Sequence, residues 1–251
     1  MNGLILAAGR GSRMGFLTET RPKCMVHLFD RPLFEWQLNA LVSADVENIC
    51  VVRGYKGEAF NKYPQTKCFN NDRWQETNMV FSLAQAATLL EKGTTIISYG
   101  DIFYPKEAVV ELANASGDIV IAFDANWLQL WSKRFADPLS DAETFRLGAD
   151  NGIVDIGSNP KTLSEISGQY MGLIKLTLNG WKIIANYIND LIPEDFDNLD
   201  FTSLLQRLID LGVRVFAVAV SGPWGEVDSK SDLILYEKLF ERSGNRLSWC
   251  R

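Results

Sequence analysis

The chain has 251 residues, of which 47% are hydrophobic, and it carries a formal net charge of −6. A chain of this length can bury a sizeable core, and the acidic balance argues against a general nucleic-acid binder, which is expected to carry a basic face. No window is apolar over the roughly 18 residues of a membrane span, and residues 1–4 lack the basic segment of a signal peptide, so we expect a cytoplasmic protein.

The scattered cysteines and the single histidine argue against two kinds of site. Cys24, Cys50, Cys68 and Cys250 form no closely spaced pair, so zinc ligation by cysteine is not expected. His27 lies in an apolar run, and we interpret it as a structural residue. A Ser-His-Asp or Cys-His mechanism is therefore not favoured.

Strands and helices alternate in the first half of the chain. Short apolar runs predict strands over residues 4–8, 48–52, 94–98 and 118–123. Helices are predicted over residues 32–43, 78–92 and 107–115. This order predicts a single domain over residues 1–251 with a Rossmann-like α/β fold, in which a mixed, mainly parallel sheet has helices on both faces. Ligands bind such sheets at the carboxyl ends of the strands, which here carry Gly9, Gly54, Asp101 and Asp124.

The second half departs from this alternation. Residues 127–168 are rich in Trp, Asp, Asn and Gly, and we interpret the region around residues 125–170 as a β insertion or lid. Further strands are predicted over residues 170–178 and 213–220. Further helices are predicted over residues 181–191, 199–211 and 232–242.

A glycine-rich loop follows the first predicted strand. Residues 9–15 read GRGSRMG, and residues 21–23 read RPK. Glycines allow the backbone to approach a ligand and to aim N–H groups at phosphate oxygens, while Arg13 and Lys23 would neutralise a polyphosphate. The dinucleotide fingerprint fails because Met14 replaces its third glycine, and a P-loop fails because no GK[ST] follows.

Residues 6–14, LAAGRGSRM, with PK at residues 22–23, resemble the signature of the NTP-transferase family. That family includes sugar-phosphate nucleotidyltransferases and the phosphocholine cytidylyltransferases of bacteria. The resemblance implies that Arg13 holds the triphosphate and that Lys23 bridges the nucleotide α-phosphate and the acceptor phosphate. The residues implied to line the nucleotide are Leu6, Ala8, Gly9, Gly11 and Ser12.

Two aspartates that follow predicted strands are the candidate Mg²⁺ ligands. Asp101 ends the sequence SYGD and Asp228 ends WGEVD, and both resemble the paired metal-binding aspartates of the family. Mg²⁺ prefers carboxylates together with phosphate oxygens. The alternatives are that Asp101 caps a loop before Pro105, and that Asp228 acts with Ser229 or Ser231 as the N-cap of the last helix.

The nucleotide base is predicted from a second resemblance. Residues 78–83, NMVFSL, resemble the corresponding segment of phosphocholine cytidylyltransferases. Residues 82–86 also look like the base-contacting helix of sugar-phosphate thymidylyltransferases. We favour CTP over dTTP, with Asn78 and Ser82 as candidate base or ribose contacts.

The tryptophan-rich insertion predicts the acceptor. Asp124 and Trp127 begin it, and further tryptophan and carboxylate residues follow. Aromatic faces attract ammonium groups, which favours phosphocholine, 2-aminoethylphosphonate or phosphorylated glutamine. Residues 127–145 look closer to relatives of phosphonate or capsule-modification pathways than to the phosphocholine enzymes. Asp124 and Trp127 are the predicted acceptor-site residues.

Two other functions stay open. A sugar-1-phosphate nucleotidyltransferase is one, because residues 165–169, EISGQ, could serve a sugar. A non-catalytic nucleotide-binding regulator on the same fold is the other, although loss of a metal aspartate would signal it and both aspartates are present. The oligomeric state does not follow from the sequence.

Overall fold

A seven-stranded sheet forms the centre of the fold in the computed structural model, which describes residues 1–243; Cys250 lies outside them. The strands are β1 (Asn2–Ala7), β2 (Asn48–Arg53), β3 (Lys67–Asn70), β4 (Thr95–Tyr99), β5 (Ile119–Asp124), β6 (Gln169–Leu176) and β7 (Phe216–Ala219). Their order across the sheet is β7-β5-β6-β4-β1-β2-β3. β6 is antiparallel to both of its neighbours, and the other neighbouring pairs are parallel. The predicted mixed, mainly parallel sheet is confirmed.

β1 lies inside the sheet and is buried along its whole length. Leu4 and Leu6 pack into the apolar cluster on one face, and Ile5 and Ala7 pack into the cluster on the other. A strand covered on both faces reads as a continuous apolar run instead of an alternating one. This burial explains why the sequence pattern located β1 well.

Helices cover both faces of the sheet. They are α1 (Leu33–Ser43), α2 (Met79–Ala84), α3 (Ala87–Leu90), α4 (Lys106–Asn114), α5 (Trp127–Arg134), α6 (Leu178–Asn189), α7 (Pro193–Asn198), α8 (Phe201–Asp210) and α9 (Lys230–Ser243). The core on one face includes residues of α2, α3, α6 and α8, and the core on the other includes residues of α1, α4 and α5. The single helix predicted over residues 78–92 is instead the pair α2 and α3. Among residues 1–243, none of the helices is both long and apolar enough to cross a membrane.

The predicted β insertion is only partly β. An antiparallel pair, Phe145–Leu147 with Ile153–Ile156, confirms the β character of its middle. The beginning of the insertion is helix α5, in which Trp127 and Trp131 are both buried. These two tryptophans lie four residues apart, so one helix face carries both into the core.

Glycines at strand ends allow close contacts around the end of β1. A Cβ atom on Gly100 would lie 2.8 Å from the Leu6 carbonyl oxygen, and one on Gly54 would lie 2.8 Å from the Ala8 carbonyl oxygen. The chain after β4 therefore passes directly against β1. This contact brings residue 101 to the edge of the sheet where the glycine-rich loop begins.

Gly100→Ala is expected to destabilise the fold by about 1–3 kcal/mol, because the added methyl group meets a backbone oxygen that cannot rotate away. The free energy of unfolding, from urea titration followed by circular dichroism, measures this effect. Gly9→Ala is the matched control, since nothing lies within 4 Å of a Cβ at Gly9. An unchanged free energy of unfolding for Gly100→Ala would contradict the proposed close contact.

Candidate active site

The glycine-rich loop is held together by the buried Thr18. The Thr18 hydroxyl oxygen lies 3.0 Å from the Gly11 carbonyl oxygen and 3.2 Å from that of Gly15, so its proton links two turns of the loop. Gly11 has a φ of 71°, and a Cβ there would lie 2.7 Å from the Cβ of Lys23. Glycine is required at residue 11 because the loop folds over the Lys23 side chain in a left-handed conformation.

Lys23 joins two carboxylates from distant parts of the chain. Its Nζ lies 2.8 Å from Asp101 Oδ2 and 2.6 Å from Asp228 Oδ1, and Arg13 Nη2 lies 2.7 Å from the same oxygen of Asp228. Burial by itself would lower the pKa of Lys23, but Asp101 and Asp228 together raise it above its usual value. The structure thus brings together the four residues predicted to bind phosphates and metal.

A third carboxylate, which the sequence analysis missed, completes the group. Asp101, Glu226 and Asp228 each offer an oxygen, and these oxygens all lie within 4.8 Å of one another. Residues Gly225–Glu226 pair antiparallel with Ile102–Phe103, directly after Asp101. Glu226 and Asp228 are two residues apart, and in an extended segment this spacing places both side chains on one face. That spacing in WGEVD was the signal available in the sequence.

The electrostatics of these carboxylates favour a divalent cation. Burial raises the pKa of Glu226 well above its usual range, and the charges of Asp228 and Asp101 raise it further. Burial would also raise the pKa of Asp228, but Lys23 and a hydrogen bond with Glu226 hold it at about 2. Within the described residues, the buried Asp101 Oδ1 has no hydrogen-bond partner. Mg²⁺ prefers carboxylate oxygens as ligands, and an oxygen that accepts no hydrogen bond is available to bind it.

The Asp228 side chain does not cap α9, because Ser229 and Asp232 form the cap. Asp232 Oδ2 accepts hydrogen bonds from the backbone N–H of Asp228 at 3.0 Å and of Ser229 at 2.8 Å. The Asp232 N–H in turn donates to the Ser229 hydroxyl oxygen at 3.4 Å. This reciprocal pair is a capping box with Ser229 as N-cap. The alternative in which the Asp228 side chain caps the helix is therefore wrong.

A cavity of about 280 Å³ opens beside the carboxylates. Arg13, Glu226 and Asp228 line one part of it, and further lining residues come from the insertion and from the start of α8. These further lining residues include Asp141, Glu143, Gln169 and Tyr170 from the insertion, and Asp200 and Thr202 from the start of α8. Burial raises the pKa of Glu143 and of Asp141. The cavity wall therefore combines one arginine, Arg13, with several carboxylates.

The predicted nucleotide-binding residues fall into two groups. Leu6 and Ala8 are buried at the end of β1, whereas Gly9 and Ser12 are exposed in the loop. Asn78 is occupied as the N-cap of α2, where its Oδ1 accepts from the Met79 N–H at 2.8 Å.

The other polar contacts near α2 are also structural. Asn78 Nδ2 donates to the Asn198 carbonyl at 3.2 Å, and the buried Ser82 hydroxyl accepts from Asn71 Nδ2 at 3.0 Å. Both predicted base contacts thus form hydrogen bonds inside the protein.

The predicted acceptor residues do not line the cavity beside Asp228. Asp124 Oδ2 accepts a hydrogen bond from Trp224 Nε1 at 2.9 Å. Trp127 is 4% exposed, and its ring centre lies 6.3 Å from that of Trp131. The structure therefore does not bring Asp124 and Trp127 together with Arg13 and Asp228, because α5 turns its tryptophans into the core.

Comparisons with known proteins identify relatives of this chain. Residues 3–153 match the family model described as the MobA-like NTP transferase domain. A CTP:phosphoglutamine cytidylyltransferase of Campylobacter jejuni is 39% identical over 249 residues, which cover 93% of this chain and 98% of that protein. The first half of the chain thus matches a family model, and nearly the whole chain matches one relative.

Solved structures share the fold at low sequence identity. The CTP:phosphocholine cytidylyltransferase from Streptococcus pneumoniae superposes with a TM-score of 0.68 at 20% identity, covering 96% of this chain and 98% of that one. The inositol-1-phosphate CTP transferase from T. maritima gives a TM-score of 0.74 at 20% identity, with 96% of each chain covered. These likenesses concern the fold alone. The family match and the extended 39% identity confirm the prediction made from residues 6–23: the chain belongs to the NTP-transferase family and is a nucleotidyltransferase.

Proposed function

We propose that this protein is a Mg²⁺-dependent cytidylyltransferase that transfers CMP from CTP to a small phosphorylated or phosphonate acceptor carrying an amine, with release of pyrophosphate. The observation that carries the proposal is the contact of Lys23 with Asp101 and Asp228 at the end of β1. This contact supports the proposal because a cation that could bind a phosphate lies against carboxylates that could bind a metal. The extended identity to a CTP:phosphoglutamine cytidylyltransferase supports cytidine as the base.

The reaction needs positioning and charge neutralisation more than proton transfer. The acceptor phosphate is already anionic near neutral pH, so its oxygen can attack the α-phosphorus in line without a general base. Arg13, whose side chain is 69% exposed, would hold the triphosphate, and Lys23 would lie between the α-phosphate and the acceptor. Mg²⁺ held by Asp101, Glu226 and Asp228 would neutralise charge on the phosphate oxygens.

The cavity wall supports an acceptor with a cationic end. Within the described part of the chain, Asp141, Glu143 and Asp200 form no ion pair with a lysine or arginine, although all three line the cavity. An acceptor phosphate facing Lys23 would leave an ammonium group facing these carboxylates. Phosphorylated glutamine, phosphocholine and 2-aminoethylphosphonate each have this arrangement of opposite charges. We therefore propose the cavity wall as the acceptor site, in place of Asp124 and Trp127.

The proposed activity predicts pyrophosphate release from one nucleotide–acceptor pair above the others. We expect turnover with CTP and one of phosphorylated glutamine, 2-aminoethylphosphonate or phosphocholine when Mg²⁺ is present, and loss of turnover with EDTA. A coupled pyrophosphate assay would cross five nucleoside triphosphates with these acceptors and with sugar 1-phosphates. Preference for a sugar phosphate would refute the amine acceptor, and no turnover with any pair would favour a regulator.

Asp101→Asn is expected to lower kcat at least about a hundredfold, because it removes one charged ligand of a metal whose stabilisation of the transition state is worth several kcal/mol. Circular dichroism should show an unchanged fold. Asp190→Asn, at an exposed aspartate after α6, serves as the control with full activity. Full activity of Asp101→Asn would refute the metal assignment.

Glu143→Gln is expected to raise the KM of the amine acceptor about tenfold, since a contact with a charged group is worth about 1.5–3 kcal/mol. The KM of CTP should stay unchanged, because the substitution lies in the cavity wall. Steady-state kinetics with each substrate varied in turn measures both constants. Glu194→Gln on α7, at an exposed position, is the control. Equal rises in both KM values would show that Glu143 does not bind the acceptor specifically.

A further inference from the structure

Arg134 is the last residue of α5, and its side chain is fully buried against the carboxylate group. Its Nε is 2.9 Å from Asp232 Oδ1, its Nη1 is 3.4 Å from Glu226 Oε2, and its Nη2 is 3.5 Å from Asp228 Oδ2. One planar guanidinium therefore faces three carboxylates at once. A lysine ammonium has no such fork of fixed donors.

Arg134 and Lys23 contact different oxygens of Asp228. Oδ1 faces Lys23 Nζ at 2.6 Å and Arg13 Nη2 at 2.7 Å, whereas Oδ2 faces Arg134 Nη2 at 3.5 Å. The two sides of the carboxylate thus have separate partners, which fixes its rotation. Among the described residues, Arg134 Nη2 is a buried donor with no hydrogen bond, so a small shift of Asp228 toward it would complete one.

The guanidinium is itself held in place by aromatic rings. Its central carbon lies 4.6 Å from the ring centre of Trp131 and 5.0 Å from that of Phe135. Trp131 is fully buried and packs 5.9 Å from Trp224, which precedes Glu226 by two residues. Aromatic stacking on both the arginine and the carboxylate segment restricts the freedom of each.

Arg134 also fixes the backbone that carries Asp228. Its partner Asp232 accepts hydrogen bonds from the N–H groups of Asp228 and Ser229. The guanidinium thus contacts the side chains of Glu226 and Asp228 directly, and through Asp232 it is linked to the main chain of Asp228. On Asp228, the oxygen that contacts Arg134 is not the one that contacts Lys23.

We propose that Arg134 is a positioning residue for the metal site: it holds Glu226 Oε2 and Asp228 Oδ2, so that Asp228 Oδ1 and the other carboxylate oxygen of Glu226 can face a divalent cation. This inference rests on the proposed function in one respect, since it takes Asp101, Glu226 and Asp228 as the metal ligands. It assigns the tryptophan-rich insertion a specific task, which is to hold that arginine beneath the site.

Arg134→Lys tests the inference because it keeps the charge and removes the fork. We expect the Kd for Mn²⁺, measured by electron paramagnetic resonance on the nucleotide-free protein, to rise about tenfold or more, as is usual when a group supporting metal ligands is lost. The Mg²⁺ concentration for half-maximal activity should rise in parallel, with kcat restored toward the wild-type value at saturating Mg²⁺. The melting temperature, measured alongside, reports any general loss of stability.

Arg31→Lys is the matched control. The Arg31 guanidinium also lies over an indole ring, 4.7 Å from the centre of Trp36, but its ion-pair partner is Asp30 and not a residue of the site. Its Mn²⁺ affinity and Mg²⁺ requirement should equal those of the wild type. The same result for Arg134→Lys, with or without a lower melting temperature, would reduce Arg134 to a packing residue and overturn the inference.

The binding measurement separates this inference from the proposed function. Weaker Mn²⁺ binding by Arg134→Lys, in a protein that turns over no CTP with any acceptor, would support the positioning role and refute the cytidylyltransferase activity. Turnover of CTP together with unchanged Mn²⁺ binding by Arg134→Lys would support the cytidylyltransferase activity and refute the positioning role. Failure of the wild-type protein to bind Mn²⁺ would overturn the positioning role, because there would be no metal site to orient.

Discussion

The ion pairs of Lys23 with Asp101 and Asp228 are the contact on which the arrangement of the site depends. A buried ammonium is tolerated only when carboxylates lie against it, so the loop after β1, the end of β4 and the segment before α9 must meet at one point. The left-handed Gly11 lets the loop cover this lysine, and Gly100 lets Asp101 approach β1. Local backbone features far apart in the chain thus serve one electrostatic contact.

Charge is distributed unevenly around this contact. The loop presents Arg13 to solvent, while the cavity wall carries Asp141 and Glu143, which form no ion pair with any of the side chains that the structure describes. In a protein of net charge −6, a cavity lined by an arginine and by several carboxylates suits a substrate that carries both a phosphate and an ammonium group. The acidic composition excluded a general nucleic-acid surface but gave no indication of this local combination of charges.

The tryptophan-rich insertion shows how one sequence pattern supports two structures. The sequence predicts a β insertion with Trp127 in an aromatic acceptor site, yet Trp127 and Trp131 belong to the buried face of α5. Their spacing of four residues fits a helix, and nothing local distinguishes a tryptophan that meets a ligand from one that meets the core. That choice depends on which elements pack above it, and here Trp224 from the far end of the chain occupies the position.

The sequence by itself determined the glycine-rich loop and the strands with apolar runs, because these are local signals, but it missed the edge strand β3, which has no fully buried residue. The family resemblance of short motifs singled out Arg13, Lys23, Asp101 and Asp228. Only the tertiary structure decided which carboxylates meet. Glu226 joins the group through strand pairing with residues 102–103. Arg134 contacts Glu226 from the insertion, although about ninety residues of chain separate the two. The two-residue spacing of Glu226 and Asp228 places both side chains on one face, but their meeting with Asp101 and Arg134 depends on the packing of whole elements.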